Sequence, residues 1–254
     1  MPTLAERPDL AGEFHGLSSL WPEFMLQDAT GELQHDLFHH SREHYLDWQF
    51  AVLDPADPGT LLGRASAVGV SWPADSPELP ARGWDAAIEE AIRLAVSGQP
   101  PVSVCALEIS LTEAARGRGL ARACVSRLCG IGAERGLQAL FAPVRPPAKA
   151  AAPEISMAEY LARRRDDGSH PDSWLRTHVQ LGGEVLGVAP LAMTITGTYQ
   201  QWQQWTGRDF SREPGTTALV EGALAPVMLD PVAEVASYIE PNVWIRHRLG
   251  QACP

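Results

Sequence analysis

The apolar positions of this chain change their spacing several times, and each change marks an element. From Leu17 to Trp48 they recur mostly at helical intervals. Phe24, Met25, Leu33, Leu37, Phe38 and Tyr45 form apolar faces, with a break near Ala29-Thr30-Gly31. Trp48 to Asp54 reads as a strand, Asp54 to Gly59 as a turn, and Leu61 to Trp72 as the partner strand. Trp84, Ala87, Ile88, Ala91 and Leu94 then share one stripe of an amphipathic helix from Trp84 to Ser97. Val102 to Leu111 is a further strand, Gly119 to Arg135 a helix, and Gln138 to Val144 a strand closed by Arg145-Pro146-Pro147. An alanine-rich loop runs from Lys149 to Pro153. Helices follow at Ser156 to Arg165 and Ser173 to Gln180, the second stopped by Gly182-Gly183. Glu184 to Val188 and Met193 to Gly197 read as two strands and Tyr199 to Thr206 as a short aromatic helix. Ala218 to His247 reads as one or two terminal strands.

This order shows no internal repeat and no clear linker. It predicts one elaborated α/β domain over residues 15–254, with a core at about 20–200 and a C-terminal extension at 201–254. Residues 1–14 are rich in proline and charge and are expected to be poorly ordered. Composition narrows the setting. A chain of 254 residues with 45% hydrophobic content can fill a sizeable core. No apolar run is long enough for a transmembrane helix, and the N-terminus lacks the basic-then-apolar plan of a signal peptide. Cys105, Cys124, Cys129 and Cys253 form no metal-ligand or redox spacing, so reduced, packing cysteines are expected. A cytoplasmic protein with no membrane partner follows as the expectation. Lys149 is the only lysine beside many arginines and alanines, which suggests a GC-rich bacterial source. A net charge of −11 argues against a nucleic-acid partner and would help to draw in a cationic acceptor.

The densest chemistry lies between Val104 and Arg122, VCALEISLTEAARGRGLAR. A strand runs into a basic, glycine-containing loop that opens a helix. The first turn of a helix carries N–H groups without intrahelical partners, glycines let an anion approach closely, and arginines add charge-assisted hydrogen bonds. The pattern suits a phosphate. A Walker A loop has no match here. A dinucleotide fingerprint would need glycine where Arg122 stands, after Gly117 and Gly119. Arg/Gln-x-x-Gly-x-Gly/Ala does fit, through Arg116, Gly119 and Ala121. On these residues the chain resembles the GCN5-related N-acetyltransferase (GNAT) superfamily. His178-Val179-Gln180-Leu181-Gly182-Gly183 adds a second likeness, to the family's Tyr-x-x-Leu-Gly-Phe helix ending. Together the resemblance covers about residues 20–200.

The resemblance implies a mixed, mostly antiparallel α/β sheet flanked by helices, whose central strand diverges from the next to admit a thioester. It implies acetyl-CoA or another acyl-CoA as co-substrate. Arg116, Gly117, Arg118, Gly119, Leu120, Ala121 and Arg122 would hold its pyrophosphate. The backbone of Ile109, Ser110 and Leu111 would pair with the pantetheine arm, an N–H near Leu111 polarising the carbonyl. The implied activity is direct transfer to a small-molecule amine in a ternary complex. A non-catalytic acyl-CoA sensor or scaffold is the rival, as is an acyltransferase with a longer or charged donor. A homodimer stays open, and no metal is implied.

Acyl transfer also needs a base and a proton donor. On the strand, Cys105, Leu107, Ile109 and Leu111 form one face, and Ala106, Glu108 and Ser110 the other. An interior strand carries a carboxylate when it is paired or serves a site, so Glu108 is either the general base or half of an ion pair, for instance with Arg64. His178 stands where the family often keeps a tyrosine that protonates the leaving sulfur, and would act as that acid or be a helix-surface histidine. Tyr199 and Tyr238 are the next donors. His35, His39, His40 and His44 repeat at helical spacing, which reads as a polar helix face before a metal site.

Overall fold

The computed structural model describes residues 1–26, 40 and 43–250. Six α-helices are seen among them: α1 (Ala11–Gly16), α2 (Gly83–Ser97), α3 (Leu120–Glu134), α4 (Met157–Ala162), α5 (Ser173–Gln180) and α6 (Tyr199–Thr206). The strands are β1 (Gln49–Leu53), β2 (Leu61–Val70), β3 (Ser103–Leu111), β4 (Ala139–Val144), β5 (Glu184–Thr198), β6 (Thr217–Ala218), β7 (Val227–Asp230) and β8 (Val235–Arg248). They form one sheet in the order β1-β2-β3-β4-β8-β7-β6, with β5 on the free edge of β8. It is mixed and mostly antiparallel, as expected.

Among the described residues only β3 and β4 pair in parallel, and only through Val104↔Leu140 and Cys105↔Phe141. Beyond those two positions the strands diverge. From Ala106 onward, the edge of β3 that faces β4 has no strand neighbour among the described residues. A register shift at Ser66/Ala67 leaves Leu107 as the extra residue of β3, a bulge at the point of divergence. Trp84 of α2 anchors it, its Nε1 donating to Leu107 O at 3.0 Å. Helix α2 buries the predicted stripe of Trp84, Ala87, Ile88, Ala91 and Leu94, while α3 buries Cys124, Val125, Leu128, Cys129 and Ile131.

Strand β8 opens a second gap. Strand β5 takes one edge of it over Val235–Arg246, so β4 and β7 share the other, at Val243–Arg248 and Val235–Ser237. Between them, residues 238–242 lack a strand neighbour on that edge and lie beside the splayed end of β4.

Several elements depart from the sequence pattern for identifiable reasons. Residues 1–14 are not a loose tail: Thr3 bridges to Phe50, and Leu4, Leu10 and Phe14 pack on Ala51. Three apolar side chains outweigh the proline-rich composition. The described part of the 17–48 segment forms 3-10 turns at Leu17–Leu20, Glu23–Leu26 and Leu46–Trp48, since Pro22 keeps Trp21 out of helical geometry. The predicted break at Ala29-Thr30-Gly31 lies outside the described residues. The two strands expected at Glu184–Val188 and Met193–Gly197 are the single β5, its pairing skipping from Ala189 to Met193 because Pro190 has no N–H to give. The terminal region holds three strands rather than one or two. Lys149 lies in a 3-10 turn, buried, its Nζ donating to Ala152 O and Leu224 O at 2.7 Å. No helix among the described residues is long and apolar enough to cross a membrane.

Candidate active site

The divergence of β3 from β4 opens a cavity of about 630 Å³. One wall is six consecutive residues of β3, Ala106 to Leu111, because the bulge breaks the strict in-out alternation. Arg116 and Ala121 reach it from the glycine loop and α3. Trp174 and His178 come from α5, and Glu240 and Asn242 from the stretch of β8 that pairs with β5 but with neither β4 nor β7. Glu108, Ile109, Ser110, Leu111, Arg116, Ala121 and His178 thus line one cavity. Gly117, Arg118, Gly119, Leu120 and Arg122 are not among the lining residues.

The loop has the geometry that an anion site needs. Gly117 and Gly119 both sit at φ +72°, and a Cβ on either would meet nothing within 4 Å. Gly119 is the N-cap of α3 and offers no side-chain cap, so the N–H groups of the first turn have no intrahelical acceptor. The three arginines do not form one patch. Arg118 pairs with Asp54 in the β1–β2 turn at 3.0 and 3.1 Å, and this guanidinium holds the Asp54 carboxyl down at about 2. Arg122 reaches Gln180 at 3.4 Å, and Arg116 is exposed.

Glu108 is 5% exposed, and four donors crowd onto one of its oxygens. Oε1 accepts from Arg64 Nε and Nη2 (both 2.8 Å), Trp21 Nε1 (2.7 Å) and Ser110 Oγ (2.5 Å). Oε2 is buried with no hydrogen-bond partner among the described residues. The ion pair with Arg64 therefore exists, and it leaves the other oxygen free beside the cavity. Buried charges require such pairing, and a stranded carboxylate oxygen is a vacancy for a donor. Arg64 itself is tied back to α1, its Nη1 donating to Phe14 O at 2.6 Å.

His178 is not on the helix surface. It is 2% exposed, 4.5 Å from the Trp174 ring, with Nδ1 2.9 Å from His247 Nε2. Burial and the neighbouring His247 lower its pKa from 6.5 to about 3. The imidazolium acid expected from the sequence is therefore absent at neutral pH, since water no longer stabilises the charged ring. The sign of the stability effect follows. Between about pH 6.5 and about 3 the unfolded chain binds a proton that the native ring does not, so stability is full above that window and falls as pH drops through it. Burial shifts His247 in the same direction. Thermal melts from about pH 7 to about pH 4 should show a falling Tm, and His178→Gln should flatten the slope.

Sequence reasoning missed the β8 contribution. Glu240, 2% exposed, accepts from Arg145 Nε (2.9 Å), Tyr238 Oη (2.8 Å) and Asn242 Nδ2 (3.0 Å). Tyr238 is occupied there as a structural donor, and neither it nor Tyr199 lines the cavity. None of the described cysteines lines it either; burial pushes Cys105 up and Cys124 up to about 12. Among the described residues no group of three metal-ligating side chains occurs. His40 and His44 stand exposed with Nε2 atoms 3.3 Å apart, while His35 and His39 lie outside the described residues.

A curated relative decides what this architecture belongs to. The arginine N-acetyltransferase avaD of Aspergillus versicolor is 32% identical over 271 aligned residues, spanning 97% of this chain and 93% of the relative. The chain belongs to the GNAT superfamily. It is accordingly an acyltransferase that uses an acyl-CoA co-substrate. No protein-family model matches the chain. Solved GNAT structures share the fold at low identity. The loading GNATL domain of CurA from Lyngbya majuscula aligns at TM-score 0.55 and 14% identity, over 97% of this chain and 94% of that one. A GphF GNAT-like decarboxylase in complex with isobutyryl-CoA aligns at 0.51 and 14%, over 95% and 96%. The curated GNAT relative is fungal and lends no support to the bacterial source suggested by the arginine bias.

Proposed function

We propose that this enzyme transfers an acetyl group from acetyl-CoA directly to the amine of a small molecule, with arginine as the first acceptor to test. The observation that carries the reading is Glu108: a buried carboxylate whose Oε1 is saturated and whose Oε2 has no hydrogen-bond partner among the described residues, beside the splay of β3 from β4. The pyrophosphate would lie on the loop from Arg116 to Arg122, with Gly117, Gly119 and Leu120 offering backbone. Pantetheine would pair with the unpartnered edge of Ile109, Ser110 and Leu111, an N–H near Leu111 polarising the carbonyl. That run would bring the thioester to the divergence, near Glu108.

An ammonium entering the cavity would donate to Glu108 Oε2 and lose a proton to it. The free amine attacks the thioester carbon, an N–C bond forms, and the C–S bond breaks with its electron pair on sulfur. Glu108 passes the first proton to solvent before the attack, and is then free to take the second nitrogen proton as the amide forms. The raised thiol pKa values of the buried cysteines disfavour a cysteine-bound acyl intermediate, which supports transfer in one ternary complex. Arginine is named because the relative avaD is an arginine N-acetyltransferase, and the acidic chain suits a cationic acceptor.

The test is thiol release from acetyl-CoA with arginine, agmatine, neutral amino acids and no acceptor. Acceptor-dependent release with a matching N-acetyl product in the mass spectrum is expected. Binding of acetyl-CoA without release in every arm would favour the sensor instead.

A further inference from the structure

Two buried histidines meet behind the cavity wall, from α5 and from the last strand. His178 Nδ1 and His247 Nε2 are 2.9 Å apart, and both residues are 2% exposed. Gly183, in the turn that joins α5 to β5, makes the approach possible. A Cβ there would lie 2.7 Å from His178 O and 2.8 Å from His247 Cε1. A Gly-Gly turn therefore does more than stop a helix; it lets the two rings touch.

Only one hydrogen fits between Nδ1 of one ring and Nε2 of the other, so one ring donates and the other accepts. The surroundings of His247 decide which. Its Nδ1 has no hydrogen-bond partner among the described residues, whereas the ring does bond the backbone of Leu181. That bond therefore leaves from Nε2, which carries the hydrogen and also faces His178 Nδ1. The reverse arrangement would put the remaining N–H at His247 Nδ1, away from the cavity, whereas this one puts it at His178 Nε2, on a residue that lines the cavity, where a ligand can accept from it. His178 Nδ1 is thus the acceptor, and the neutral ring keeps its hydrogen on Nε2. That Nε2 is buried and has no hydrogen-bond partner among the described residues, and the residue lines the cavity. A neutral imidazole held as a donor stabilises developing negative charge without being protonated.

We propose that His247 is a positioning residue that fixes His178 as the Nε2–H tautomer, and that this N–H donates a hydrogen bond to the thioester sulfur as the C–S bond breaks. The inference rests on the acyl transfer proposed above. No proton moves from His178: the electron pair of the broken bond stays on sulfur, stabilised by the N–H, and the thiolate takes its proton from solvent on release. The charged groups that share the cavity are Glu108, Glu113, Arg116, Arg145 and Glu240, and none of them bonds the His178–His247 pair.

Nitrogen-15 NMR of the full chain reads the tautomer directly. The expected spectrum has His178 protonated at Nε2 and bare at Nδ1, unchanged from about pH 8 to about pH 5. Adding CoA should shift the Nε2–H signal, and adding desulfo-CoA should not. An Nδ1–H tautomer, an imidazolium in that range, or equal responses to the two ligands would overturn the proposal. Kinetics give a second readout. His247→Leu should lower kcat at least about tenfold and mix the His178 tautomers with KM for acetyl-CoA unchanged. His247→Gln, which keeps a donor near Nδ1, should retain most turnover. An unaltered kcat and tautomer in His247→Leu would also overturn it. Because the desulfo-CoA comparison needs no acceptor, failure of every amine to react would count against the acyl-transfer reading and not against the tautomer.

Discussion

Glu108→Gln should lower kcat for amine acetylation by roughly a hundredfold while leaving the Kd for acetyl-CoA almost unchanged. The amide fills the same space and can still accept from Trp21, Ser110 and Arg64, but it cannot take a proton from the acceptor's ammonium. The substitution also removes the counter-charge of buried Arg64, so stability should fall by about 3 kcal/mol. The two effects can be separated. A doubly apolar variant, Arg64→Met with Glu108→Leu, removes both charges of the pair and should regain much of the lost stability. It should not regain turnover. Full activity in Glu108→Gln would reduce Glu108 to half of a structural ion pair.

Ala121→Glu should weaken acetyl-CoA binding roughly a hundredfold without harming the fold. Ala121 lies in the first turn of α3, half-exposed at the cavity, and that turn holds no acidic side chain. A carboxylate near a helix N-terminus stabilises the helix by about 0.3–1 kcal/mol, so Tm should hold or rise. The same carboxylate would stand beside the diphosphate. Like charges ~4 Å apart at an effective dielectric of ~20 repel by about 4 kcal/mol, which after screening leaves a loss of roughly a hundredfold in affinity. Calorimetry with acetyl-CoA measures it, and an unchanged Kd would move the pyrophosphate off this loop.

How much of this was legible in the sequence depended on distance along the chain. The run from Val104 to Ala121 was readable as strand, loop and helix N-terminus because the three are contiguous there and each follows from local geometry. The α2 stripe and the Gly182-Gly183 stop were readable for the same reason. Glu108 with Arg64 could be named as a pair only as one of two alternatives. The structure shows the pair, made by one oxygen, and leaves the other oxygen without a hydrogen-bond partner among the described residues. What stayed hidden was the contribution of β8. Glu240, Asn242 and His247 enter the site through strand pairing with β4 and β5, which no local pattern encodes. His178 lies at the cavity, but burial against His247 lowers its pKa, and that burial cannot be read from helix spacing. Trp174, four residues before His178 on the same helix face, was a signal that could have been used. The N-terminal residues were misjudged because composition was weighed above the three apolar side chains that anchor them.

The central claim is that the gap between β3 and β4, entered from the Gly117–Gly119 loop, holds acyl-CoA with its thioester at Glu108. A structure of the protein with bound CoA tests it most directly. The account predicts the diphosphate on the backbone N–H groups of residues 116–121 and the sulfur in the cavity, within reach of Glu108 Oε2 and His178 Nε2. CoA bound elsewhere, or in that gap with its sulfur turned away from both atoms, would contradict it.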